Sequence, residues 1–137
     1  MAREATLMIE TGLPIPMTCA DDATIEKGTI LKISDPFTVA AADGDTDAVG
    51  GIAAEEKIAN DGKTKIAVYR EGIFKCYAGA AGVTVGMGVI TDVTTGDTNE
   101  LVVADVNSEH IVGIALETAT DGETFLMELK PLGVQLA

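Results

Sequence analysis

The sole histidine, His110, is the one candidate for a base of the usual kind, and Cys76 is a conceivable nucleophile for it. Covalent hydrolysis needs such a pair within hydrogen-bond reach. Cys76 and His110 have the right chemistry, but no motif surrounds either of them. His110, in Ser108-Glu109-His110, reads as a surface or strand-end residue. The carboxylates are numerous, 22 in all, yet they fall mostly in turns. A structural zinc site takes about four Cys or His ligands, more than the chain possesses. Asp43-Gly44-Asp45-Thr46-Asp47 places carboxylates at alternate positions, as a calcium loop begins. Ala48 then replaces the loop glycine and Ala54 the bidentate glutamate, so the segment reads as a solvated hairpin turn. Gly79-Ala80-Ala81-Gly82-Val83-Thr84-Val85-Gly86 is glycine-rich but lacks the Gly-Lys-Ser/Thr ending of a phosphate loop. No catalytic residue, metal site or cofactor is expected.

The elements that would position a site are short and β-like. Hydrophobic residues make up 47% of the 137, with no Trp, three Phe and two Tyr, so the core must be built of small and branched aliphatics. Helical periodicity is absent. The best helical candidate, Ala53 to Ala59, is too short to stand alone. Strands are expected over Thr29–Ile33, Phe37–Ala40, Val49–Ala53, Lys65–Arg70, Ile73–Tyr77, Val89–Val93, Leu101–Ala104, Ile111–Leu116 and Phe125–Leu129. Turn signals separate them at Asp43-Gly44, Asn60-Asp61-Gly62, Glu71-Gly72, Gly96-Asp97 and Asp121-Gly122. Many short strands at close spacing predict an all-β body, a small barrel or sandwich.

A weak internal duplication runs through the chain. Gly51-Ile52-Ala53 returns as Gly113-Ile114-Ala115 at an offset of 62, and Asp61-Gly62 returns as Asp121-Gly122 at an offset of 60. Lys27-Gly28-Thr29-Ile30 has a looser echo around Val85-Gly86-Met87-Gly88. Three echoes in the same order point to two related β-units in one barrel. The first twenty residues differ. Pro14 and Pro16 each remove a backbone donor and bias the preceding residue to an extended form. Residues 1–20 are therefore expected to be an extended arm, and 21–137 a single β-barrel-like domain.

The formal charge of −13 argues against nucleic acid and anionic membrane as partners. The charge is uneven: Lys63, Lys65, Arg70 and Lys75 lie close together, whereas after Cys76 only Lys130 is basic against nine acids. Met1-Ala2-Arg3-Glu4 lacks the layout of a signal peptide, and no segment approaches the length of a membrane-spanning helix. The cysteines are expected to be small buried hydrophobes rather than a disulfide framework, although one bridge between them is compatible with the sequence.

The segment from Asp43 to Tyr77, DGDTDAVGGIAAEEKIANDGKTKIAVYREGIFKCY, resembles the central part of the lambda-type head decoration proteins of tailed phages. The resemblance rests on Val49-Gly50-Gly51-Ile52, on Val68-Tyr69-Arg70, and on Gly72 followed by Phe74-Lys75. Gly28-Thr29-Ile30-Leu31 and Ile15-Pro16-Met17 before Ala20 are similar to related phage cement proteins. The extra glycine at Gly50 and the longer second half depart from the lambda type. The resemblance implies a non-enzymatic homotrimer on the outer surface of the virion, seated on the major capsid protein at three-fold and local three-fold sites of the expanded head. The arm would make the capsid contact through Thr6, Leu7, Met8 and Ile9, with Ile15 and Met17 as further anchors. Three other readings share the same residues. One is a head fibre base or tail component. Another is a lipoyl- or biotinyl-like carrier domain, for which Lys63 and Lys65 lack the expected neighbours. The last is a small hydrolase, which rests on carboxylates alone.

Overall fold

The computed structural model describes residues 3–43, 48–91, 99–104 and 110–134. Expectations that fall on Asp45, Asp47, Val93, Gly96-Asp97 and Ser108-Glu109 lie outside these residues. Among the described residues the architecture is all β. It comprises β1 (Thr6–Ile9), β2 (Ile15–Thr18), β3 (Ile30–Ser34), β4 (Thr38–Ala41), β5 (Val49–Ala53), β6 (Lys65–Tyr69), β7 (Gly72–Ala78), β8 (Gly88–Thr91), β9 (Glu100–Val103), β10 (His110–Ala115) and β11 (Thr124–Val134).

The strands form two small barrels. The first closes in the order β2-β4-β3-β5-β6. The second runs β7-β11-β10-β8-β9 and returns to β7 through a parallel pairing of Tyr77 with Glu100 and Ala78 with Leu101. The first barrel closes in the same way, with β2 parallel to β4 at Thr18 and Thr38. Every pairing of one barrel has its counterpart in the other. Met17 faces Ile66 as Cys76 faces Phe125. Leu31 faces Gly51 as Val89 faces Gly113. Ala53 faces Val68 as Ala115 faces Met127. Even the isolated bridge Ile25–Lys57 returns as Val83–Ala119.

Alternation along each strand sends one face inward. The interior of the first barrel is Met17, Cys19, Ile25, Leu31, Val39, Ala53, Ile66 and Val68. The matching positions of the second are Cys76, Ala78, Val83, Val89, Leu101, Ala115, Phe125 and Met127, all buried together. The repeat extends to side-chain contacts. Glu55 Oε1 accepts the backbone N–H of Ala67 at 3.0 Å, and Glu117 Oε1 accepts that of Leu126 at 2.9 Å. Gly51 and Gly113 mark the closest backbone approaches. A Cβ on either would collide with the carbonyl oxygen of Tyr69 or Glu128. This is why the Gly-Ile-Ala echo is the most legible part of the duplication.

The outer face of β3 and β5, with Ile30 and Ile52, packs onto the second barrel, so one hydrophobic cluster spans both. The stretch expected to be an extended arm contains two strands with different roles. β2 is a stave of the first barrel. β1 is an edge strand lying antiparallel on β7, with Thr6 opposite Lys75 and Leu7 opposite Phe74. The short candidate helix at Ala53–Ala59 is the end of β5, a bend and a bridge residue.

Candidate functional site

Cys76 lies in the interior of the second barrel, 1% exposed, and burial pushes its thiol up to about 12. Such a thiol is the opposite of an activated nucleophile. Cys19 sits inside the first barrel. Its pKa is raised by burial, against the lowering effect of Lys57. Both cysteines are free. His110 begins β10 opposite Val134. Among the described residues no three His, Cys, Asp or Glu side chains converge as metal ligands. One surface concavity, about 270 Å³, is lined by residues 80–84 and 118–121, with Asp121 its only titratable side chain. Another, about 280 Å³, runs between β1 and the first barrel, beside Glu4, Lys27 and Tyr69.

Among the described residues, a dense polar cluster around Lys57 is structural. The Lys57 side chain is fully enclosed at the end of the first barrel. Its ammonium donates to the carbonyls of Asp21 and Ile58 and to Asp61 Oδ1, each at 2.7 Å, with Asp21 Oδ1 at 3.5 Å. Burial works against the charge, but the hydrogen bond and charge of Asp61 outweigh it, and the Lys57 pKa is raised. Lys57 and the Lys63 N–H hold the Asp61 carboxyl down to about 2. Every donor proton of the lysine is used, as a buried ammonium requires. Sequence reasoning passed over Lys57 because Glu55-Glu56-Lys57 looks like a solvated run. The usable signal was its alignment with Ala119 in the duplication.

What remains for function is surface, and part of its exposed apolar area lies on the arm. The arm contributes Met8 (54% exposed), Ile9 (55%) and Leu13 (79%). Of the other expected contact residues, Thr6 is exposed, Leu7 is half-buried against the core and Ile15 is exposed. Met17 is 1% exposed inside the first barrel, where β2 points it at Ile66, so it is a core residue and offers no outward anchor.

The arm is fastened at several points. Ala5 N–H donates to Gly28 O at 3.1 Å. Asn99 Nδ2 donates to Arg3 O at 2.6 Å. The Arg3 guanidinium sits 4.8 Å from the centre of the Tyr77 ring and pairs with Glu100 at 3.4 Å. These contacts hold β1 flat on β7, with Met8 and Ile9 turned outward at the sheet edge. A strand so placed can accept a further strand from a partner.

Residues 9–130 match the family described as phage cement protein. The chain belongs to the phage cement protein family. Its role is accordingly structural: capsid decoration and stabilisation in the phage virion. Among solved structures, this cement protein is similar to the N base of head fiber gp8.5 of bacteriophage phi29. The two are 18% identical with a TM-score of 0.54, over 95% of this chain and 99% of that one. That likeness concerns the fold, and the two-barrel cement protein shares it along nearly its whole length. No curated protein matches the sequence.

Proposed function

We propose that this cement protein binds the outer surface of the expanded head as a homotrimer, at three-fold and local three-fold positions, and seats its β1 face on the major capsid protein. The observation that carries this reading is the arm. An edge strand locked onto β7 exposes Met8 and Ile9 beside Leu13, on a molecule whose net charge of −13 otherwise favours solvent. Three such faces on one rigid trimer act at a high effective concentration, so a modest contact gives high occupancy. A protein that binds only the expanded shell stabilises that state by mass action.

The test is co-sedimentation with expanded shells lacking the protein. The wild type is expected to saturate expanded shells and to ignore unexpanded precursors. A Met8→Glu, Ile9→Glu variant that folds normally is expected to lose most of this binding. Unchanged binding by that variant would remove β1 from the contact. A second reading, the base of a head fibre, is favoured by the likeness to the phi29 head fiber N base. It predicts that a longer fibre is seated on the same trimer.

A further inference from the structure

The two barrels meet through different faces. The first barrel gives the outer side of β3 and β5, with Ile30 and Ile52 at most 1% exposed. The second gives Phe74, Leu129 and Asn99. Asn99 Oδ1 accepts the Ile30 N–H at 2.7 Å and its Nδ2 donates to Gly28 O at 3.0 Å. Because the barrels are copies in register, each also carries the face that the other uses.

Those two counterpart faces are open. On the second barrel the residues matching Lys27, Thr29 and Ala54 are Val85, Met87 and Leu116, exposed by 56%, 48% and 38%. Thr29, by contrast, is 6% exposed. A Cβ on Gly28 would run into Glu4 and the Ala5 carbonyl, whereas one on Gly86 would meet nothing within 4 Å. On the first barrel the residues matching Phe74 and Asn99 are Ile15 and Phe37, exposed by 38% and 54%, while Phe74 and Asn99 are 1% and 4% exposed. Lys27, Thr29, Ala54 and Asn99 are replaced at the open faces by Val85, Met87, Leu116 and Phe37. At each of these four positions the open copy is the more apolar or the larger, while Gly88 stands in the place of Ile30 and Ile15 in that of Phe74. Solvent exposure would favour the reverse.

We propose that a second copy of this chain occupies these faces, with Ile15 and Phe37 of one protomer packing on Val85, Met87 and Leu116 of the next. The contact repeats between chains the interface that already joins the barrels within one chain. Such a head-to-tail contact closes into a ring when its rotation permits, and three copies would give a ring of six barrels. Pro14 and Pro16 stand where Ile73 and Lys75 receive β1 on the second barrel. They deprive that edge of N–H donors, so the new contact is made by side chains rather than by an added strand. The inference deepens the homotrimer element of the proposed function and does not depend on capsid binding.

Directed cross-linking tests it. Phe37→Cys and Met87→Cys chains are prepared separately and mixed, then treated with a short bis-maleimide. Cys19 and Cys76, at most 2% exposed, stay out of reach in the folded protein. The expected product links one variant to the other, with neither variant linked to itself, and the double variant yields a closed covalent trimer. Phe37→Glu or Met87→Glu is expected to weaken self-association roughly tenfold or more, and added salt to strengthen it by screening the −13 charge. Like-with-like cross-links, or a chain that sediments as a monomer and does not cross-link, would overturn the proposal. Intact cross-links with no shell binding would count against the capsid reading alone.

Discussion

The two barrels reach the same fold with different interiors. Going from the first to the second, four inward side chains shrink: Met17 to Cys76, Cys19 to Ala78, Ile25 to Val83 and Leu31 to Val89. Three grow in return: Val39 to Leu101, Ile66 to Phe125 and Val68 to Met127. The exchange is local, since the shrunken Cys76 lies directly opposite the enlarged Phe125. A close-packed interior tolerates substitution when its volume is kept, and the pairing register decides which residues must change together. The barrel ends diverge more sharply. The first is sealed by an ammonium with three acceptors, the second by Ala119. The same backbone therefore carries a charged plug in one copy and an apolar one in the other.

The comparison can be broken most forcefully through the shared core. Phe125→Ala is expected to cost about 3–5 kcal/mol. Because one cluster spans both barrels, calorimetry should show a single transition moved to lower temperature. Two separated transitions would mean that the barrels unfold independently. Gly51→Ala and Gly113→Ala should each cost about 3 kcal/mol in denaturant unfolding, since each drives a Cβ into a facing carbonyl. A large difference between the two would weaken the equivalence of the copies.

A size exchange sharpens it further. Ile66→Phe alone should cost about 1–3 kcal/mol through overpacking. Adding Met17→Cys, the partner found opposite the second barrel's phenylalanine, should restore part of that loss. Additive losses in the double variant would show that the interiors are not matched position by position. The smallest effect concerns acid. The Asp61 carboxyl is held at about 2 against an ordinary value of 3.8, so its contribution to stability is complete above roughly pH 4 and is lost as pH falls toward 2. An acid titration should show this loss in the wild type and not in Lys57→Met, whose stability is lower throughout.

Much of this organisation was legible in the sequence where a local rule fixes a residue. The Gly-Ile-Ala echo was visible because a close backbone approach admits glycine alone. Most strands were visible through their alternation and turn residues. The equivalence of Met17 with Cys76, or of Ile25 with Val83, was not visible, because compensated volumes leave no common residue type. Lys57 was not visible because Glu55-Glu56-Lys57 looks solvated and only the closed barrel encloses it, although Asp61 lies four residues on. The prolines at 14 and 16 suggest an extended arm, whereas they blunt one edge of a barrel stave. The strand ahead of them finds its partner in β7, more than sixty residues along the chain. Of the expected contact residues, Met8 and Ile9 were legible as an apolar stretch, but strand pairing alone determined that they face outward.

We propose that a trimer of this cement protein decorates the outside of the expanded head with β1 toward the coat. Imaging of shells saturated with the purified protein, by electron cryomicroscopy at a resolution that separates strands, tests it most directly. The expected result is three-fold density on the outer surface at three-fold and local three-fold positions, with Met8 and Ile9 at the coat interface. Single copies without three-fold contacts, or β1 turned away from the shell, would contradict it.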